Sequence, residues 1–168
     1  MTEPKPLGYL PADHARPAKL NEVTSPAILL PINGYGEPFA VVGTGASTMA
    51  CFLGDRHQFE AMAQSKGEHF SGLAIENVRF EVDVASAYSL EGVFAVPGSL
   101  VRTGDKLELV VRTDQGHYPR TTRAPVAERL TPTSDDVKVG FRRWRAVLQV
   151  QDDTILIWEA EALSSPER

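Results

Sequence analysis

Residues 54–70, GDRHQFEAMAQSKGEHF, hold the densest set of side chains able to do chemistry. His57 and His69 sit among Asp55, Glu60 and Glu68, and Cys51, the single cysteine, lies just upstream. Imidazole, carboxylate and thiolate groups serve metal ligation, proton transfer and nucleophilic attack. A metal site needs ligands that converge at fixed spacing, such as two histidines at i and i+4 on a helix. Here only His57 and Glu60, at i and i+3, would share a helical face, and His69 falls beyond Gly67. Cys51 stands in an apolar run without basic neighbours, which describes a buried small hydrophobe better than a nucleophile. The plainer reading is a helix with a polar face, so no metal, cofactor or thiol site is expected.

Two further stretches invite a functional reading. FAVVGTGAST places Gly43 and Gly45 after an apolar run, as a dinucleotide-binding loop would. Thr48 occupies the third glycine position and no alternation of strands and helices follows, so a structural turn is expected. In FRRWR, residues 141–145, arginines flank Trp144, a composition that can stack on bases or anchor a protein interface. In a strand Trp144 faces away from Arg143 and Arg145 and so belongs to the core.

These side chains must be positioned by a mainly β chain. In ENVRFEVDVA, Val78, Phe80, Val82 and Val84 alternate with polar residues, the pattern of a half-buried strand. Apolar runs at 27–32 and 39–43 flank an Asn33-Gly34 turn signal, and Pro97-Gly98 and Gly104-Asp105 mark later turns. A strand is expected over 48–53. A helix is expected over Asp55–Ser65, with Asp55 as N-cap and Gly67 at its end. Lys106–Thr113 reads as another strand and LTPTSDD as a loop. The expected fold is mainly β with one or two short helices (α+β), an antiparallel sandwich or partly wrapped barrel of about seven strands.

The C-terminal stretch predicts a hairpin. Setting Val150 opposite Leu156, Leu148 opposite Trp158, Ala146 opposite Ala160 and Trp144 opposite Ala162 makes one face apolar. It also sets Arg145 opposite Glu161, with Asp152-Asp153-Thr154 as the connection. A one-residue slip would bury Glu159 and Glu161.

The first 38 residues contain seven prolines. Proline fixes φ and removes a backbone donor, which excludes a regular helix or a central strand. Residues 1–25 therefore read as an extended arm with Leu7, Tyr9, Leu10 and Leu20 as candidate partner anchors. Residues 26–163 read as one β-rich domain and 164–168 as a tail.

Charge and composition narrow the function classes. The net charge is −5, yet residues 102–145 hold ten Lys/Arg against six Asp/Glu. That balance is too sparse for a nucleic-acid footprint, so nucleic acid is not an expected partner. No apolar run is long enough to cross a membrane as a helix, and the N-terminal residues lack the apolar core of a secretory signal. One cysteine excludes an internal disulfide framework, which fits a cytoplasmic protein, or one within a particle assembled in the cytoplasm.

One family resemblance reaches the opening stretch. EAMAQ, Glu60–Gln64, resembles the central-helix motif of hotdog-fold β-hydroxyacyl carrier-protein dehydratases. EPF at 37–39, GDKLEL at 104–109 and WRAVLQVQDDTILIWEAEAL at 144–163 are similar in order to other parts of that family. The resemblance implies a long helix wrapped by a curved sheet, acyl-thioester substrates, and Glu60 as the catalytic acid/base. The family's histidine partner would fall at Ala46, and its Gly-His-Phe-Pro motif is absent.

Two functions follow as expectations. The first is a non-catalytic assembly or binding module that self-associates, or joins another protein subunit, through its Pro-rich arm; the shell of a particle, as in virion decoration, would suit such an arm. The second is a hotdog enzyme of dehydratase or thioesterase type acting through Glu60. The absence of a complete catalytic constellation favours the first.

Overall fold

The computed structural model describes residues 3–32, 36–91, 94–115, 118–126, 130 and 137–163. Among these the strands are β1 (Arg16–Lys19), β2 (Ala27–Leu30), β3 (Phe39–Val42), β4 (Met49–Phe52), β5 (Ala61–Ala63), β6 (Ser71–Glu76) and β7 (Arg79–Val82). They continue with β8 (Ala87–Ser89), β9 (Leu100–Thr103), β10 (Lys106–Gln115), β11 (Tyr118–Pro125), β12 (Lys138–Phe141), β13 (Arg143–Val150) and β14 (Asp153–Glu161). The only helices among the described residues are single 3-10 turns of three residues. None is long and apolar enough to cross a membrane.

The strands form three antiparallel sheets, ordered β1-β6-β2-β3-β4-β5, β11-β10-β9-β12-β8 and β14-β13-β7. None closes into a barrel. The chain is thus mainly β, as composition and alternation led us to expect, but with fourteen short strands among the described residues instead of about seven. The count differs because turns interrupt the chain every few residues, and several of these turns carry no sequence signal.

All three sheets send side chains into one core. Ile28, Val42 and Ile75 come from the first sheet, Leu100, Leu109 and Val111 from the second, and Trp144, Leu148 and Ile157 from the third. The six-stranded sheet is apolar on both faces. Its other face carries Leu29, Phe39, Val41 and Ala50, and is roofed by Leu20, Val23 and Phe70. This second face explains the continuous apolar runs at 27–30 and 39–42, which lack alternation because neither side meets water.

Several expectations hold. Residues 49–52 form a strand, and the glycines at 43 and 45 make the hairpin turn into it. Gly43 has φ 107, and a Cβ there would lie 2.9 Å from the Ser47 carbonyl oxygen, so the turn itself demands glycine. Val78 and Phe80 are buried, whereas Val84 is exposed beyond the end of β7. The Asn33-Gly34 turn and most of the LTPTSDD loop lie outside the described residues.

The helix over Asp55–Ser65 is corrected. That stretch is an irregular loop, then β5, then a 3-10 turn at Gln64–Lys66. Phe59 takes φ 63 and its ring is buried, and Ala61–Ala63 pairs with Met49–Cys51 of β4. The apolar spacing at Phe59, Met62 and Ala63 resembled a helical face, but these residues serve two different layers. The central helix implied by the dehydratase resemblance is therefore not formed by EAMAQ.

The terminal hairpin forms in a different register. Trp144 pairs with Ala160, Arg145 with Glu159, Ala146 with Trp158, and then, past a bulge, Val147 with Leu156 and Leu148 with Ile155. The extra residue, Ile157, is what the period-2 argument omitted. It places Ile155 and Ile157 in the core and leaves Trp158 half-buried, while Glu159 and Glu161 stay exposed. The connection is a tight turn at Gln151-Asp152, with Gln151 at φ 55.

Candidate functional site

The N-terminal segment is anchored at two places. At its start, Lys5 N–H donates to the Thr154 carbonyl at 2.8 Å and Leu156 N–H donates to the Lys5 carbonyl at 2.8 Å. The backbone thus lies parallel to the edge of β14 for one residue pair, Lys5 with Ile155. Lys5 Nζ also meets Asp153 at 2.8 Å, and Glu3 approaches Arg145 at 3.5 Å.

The second anchor is stronger. Arg16 holds Glu76 of β6 in a two-pronged pair, Nε to Oε1 at 2.6 Å and Nη2 to Oε2 at 3.0 Å, and also donates to the Glu22 carbonyl. Thr24 N–H donates to the same carboxylate at 2.6 Å. The hydrogen bond from Arg16 chiefly holds the Glu76 carboxyl below its ordinary range, against the opposing effect of burial. Gln64 Nε2 donates to the Leu20 and Val23 carbonyls. β1 is an edge strand, which tolerates Pro17 because an edge residue need not donate outward.

This geometry sorts the four candidate anchors. Leu20 is fully buried beneath the six-stranded sheet and is not available to a partner, which corrects its reading as an anchor. Leu10 is half-buried against the main core. Leu7 is 42% exposed and Tyr9 is wholly exposed, both on the stretch between the two anchors. Residues Arg16–Val23 are thus held to the six-stranded sheet and Gln64.

The opening stretch assembles less. Cys51 is buried in β4, and desolvation pushes its thiol far up, so no thiolate is presented. His57 Nδ1 meets Glu60 Oε2 at 3.3 Å, and His69 Nε2 meets its neighbour Glu68 at 3.4 Å, both pairs open to solvent. Among the described residues no three His, Cys, Asp or Glu side chains are placed to hold a metal ion. His117 lies outside the described residues. The backbone around Glu60 is occupied with joining sheets: Arg112 of β10 donates from its N–H to the Phe59 carbonyl and from Nη2 to the Gln58 carbonyl, each at 2.7 Å.

Sequence reasoning passed over Gln64, Arg16 and Glu76, which dock the N-terminal segment. No local motif announces them, because their partners lie 41–60 residues away.

The family model described as "Y4lG: Uncharacterised protein y4lG" matches residues 17–166. The chain is similar to the uncharacterized protein y4lG of Sinorhizobium fredii (strain NBRC 101917 / NGR234), 23% identical over 133 residues, which is 79% of this chain and 81% of that protein. No solved structure matches. Leu7 and Tyr9 precede the matched residues, whereas Gln64 and Glu76 fall within them.

Proposed function

The chain belongs to the y4lG family of uncharacterised proteins, and we propose that it is a non-catalytic assembly module whose N-terminal segment docks onto a second copy. The observation that carries this reading is the exposure of Leu7 and Tyr9 on a backbone held at both ends. A stretch between two fixed points loses less freedom on docking than a free tail, so more of the contact energy survives as affinity. Tyrosine suits the role, since it supplies large contact area on only two rotatable bonds and is enriched where interfaces bind most tightly. The prolines at 4, 6 and 11 keep the segment extended in the free chain.

The chemistry-bearing residues support the same reading. Cys51 is shut in the core, and the His57–Glu60 pair faces solvent. The acyl-thioester reading rested on Glu60 being carried by a helix, and Glu60 instead leads into β5.

Light scattering coupled to size exclusion tests the proposal on the full chain and on Leu7→Ser/Tyr9→Ser. Both substitutions fall on side chains exposed in the single chain, so the variant should keep its fold, as circular dichroism checks. The expected result is an oligomer for the parent chain and a monomer for the variant. Equal masses for the two would refute it.

A further inference from the structure

The edge of β14 is occupied by Lys5 at Ile155 and carries no other strand among the described residues. Past this pair, the bulge at Ile157 interrupts the ladder between β13 and β14. Beyond it lie Glu159 and Glu161, beside an open groove of about 840 Å³ on the three-stranded sheet.

The register arranges the groove's charges in rows across the sheet. Glu81 of β7, Arg145 of β13 and Glu159 of β14 stand side by side, and Arg143 stands beside Glu161 in the next row. Arg145 Nε is bonded to Glu81 at 2.9 Å, and Arg143 meets Asp83 at 2.8 Å. Each arginine is thus engaged on the β7 side, and Arg145 Nη1 also meets Glu3 of the N-terminal segment at 3.5 Å. Glu159 and Glu161 are exposed and make no ion pair or side-chain hydrogen bond among the described residues. Each row ends at the edge on a carboxylate that stands across from an arginine but forms no ion pair with it.

We propose that this edge and its groove are a docking surface for an extended, basic segment of a partner protein, which adds a strand to β14 with Lys or Arg at alternate positions facing Glu159 and Glu161. This proposal does not rest on the assembly reading. The charge pattern selects the occupant. A fourth strand bearing bases would extend each row in alternating sign, and opposite charges directly across strands attract. Alternate residues of a strand lie roughly 6.6–6.8 Å apart on one face, which is the spacing that Glu159 and Glu161 themselves have. A second copy pairing antiparallel through the same edge would set these carboxylates against each other, so the surface disfavours its own kind.

The chain already displays the chemistry of such an occupant at Ile155, two residues before the bulge. Lys5 contributes two backbone hydrogen bonds to β14 and an ammonium group to Asp153, in a parallel alignment. Main-chain hydrogen bonds of this kind give affinity in strand addition, and the alternate side chains give specificity.

The test uses the full chain and fluorescein-labelled peptides, with binding followed by anisotropy at low salt. The probe alternates valine and lysine; its controls replace lysine by glutamate, group the lysines together, or N-methylate the backbone on one edge. The alternating basic peptide should bind at least tenfold more tightly than every control. E159K/E161K should lose that binding tenfold or more and acquire preference for the glutamate peptide, while E159Q/E161Q should lose it without acquiring the new one. Equal binding of alternating and grouped lysines, or retention of affinity after N-methylation, would reduce the effect to nonspecific attraction and overturn the proposal. So would unchanged affinity in either double variant.

Discussion

The ring of Phe59 fills the space that a side chain on Gly98 would need: a Cβ at Gly98 would stand 2.2 Å from Phe59 Cε2. Phe59 belongs to the loop before β5 and Gly98 to the turn before β9, so the contact joins the first two sheets. The third sheet reaches the same point, since Trp144 Nε1 donates to the Gly98 carbonyl at 2.7 Å. Three sheets are pinned at one glycine.

Gly98→Ala should therefore be costly in two ways. Gly98 has φ 89, where an L side chain is strained, and the added methyl must displace an aromatic ring. Overpacking and left-handed strain each cost roughly 1–3 kcal/mol. Urea unfolding should show a loss of at least that size, and a variant as stable as the parent would contradict the contact.

The two tryptophans should separate. Trp144 is buried with its N–H satisfied, whereas Trp158 is half-buried on the partner strand. Trp144→Ala should cost roughly 3–5 kcal/mol by cavity formation, with Trp158→Ala clearly cheaper. Equal losses in the same urea series would mean that the hairpin register is wrong.

The docking of β1 should respond to acid in a set direction. Glu76 is held below its ordinary range by Arg16, so its contribution is complete above the unfolded carboxylate value of roughly 4.3 and fades as pH falls through the depressed folded value. Glu76→Gln should therefore destabilise near pH 7, by about 1 kcal/mol for a partly exposed pair, and the gap to the parent should close below about pH 4. A gap that is constant from pH 7 to pH 3 would contradict this linkage.

What the sequence disclosed depended on how local the cause was. The alternation at Val78 and Phe80 and the glycines at 43, 98 and 104 were legible because their determinants lie within a few residues. Phe59 was not, because its burial is decided by Gly98, 39 residues later in the numbering. The hairpin's charged outer face was legible, but its bulge was not: period-2 reasoning assumes an unbroken ladder, and one extra residue at Ile157 moves Ile155 from the outer face to the core. Of the candidate anchors, Leu7 and Tyr9 were separable from Leu20 only once the apolar second face of the six-stranded sheet was seen to need a roof.

Hydroxyl-radical footprinting of Leu7 and Tyr9 at low and high protein concentration tests the central claim most directly. If the N-terminal segment docks onto a second copy, both side chains are labelled in dilute protein and protected in concentrated protein, while exposed Val84 is labelled equally in both. Equal labelling of Tyr9 at the two concentrations, with the mass staying at the 18.3 kDa of one chain, would contradict it.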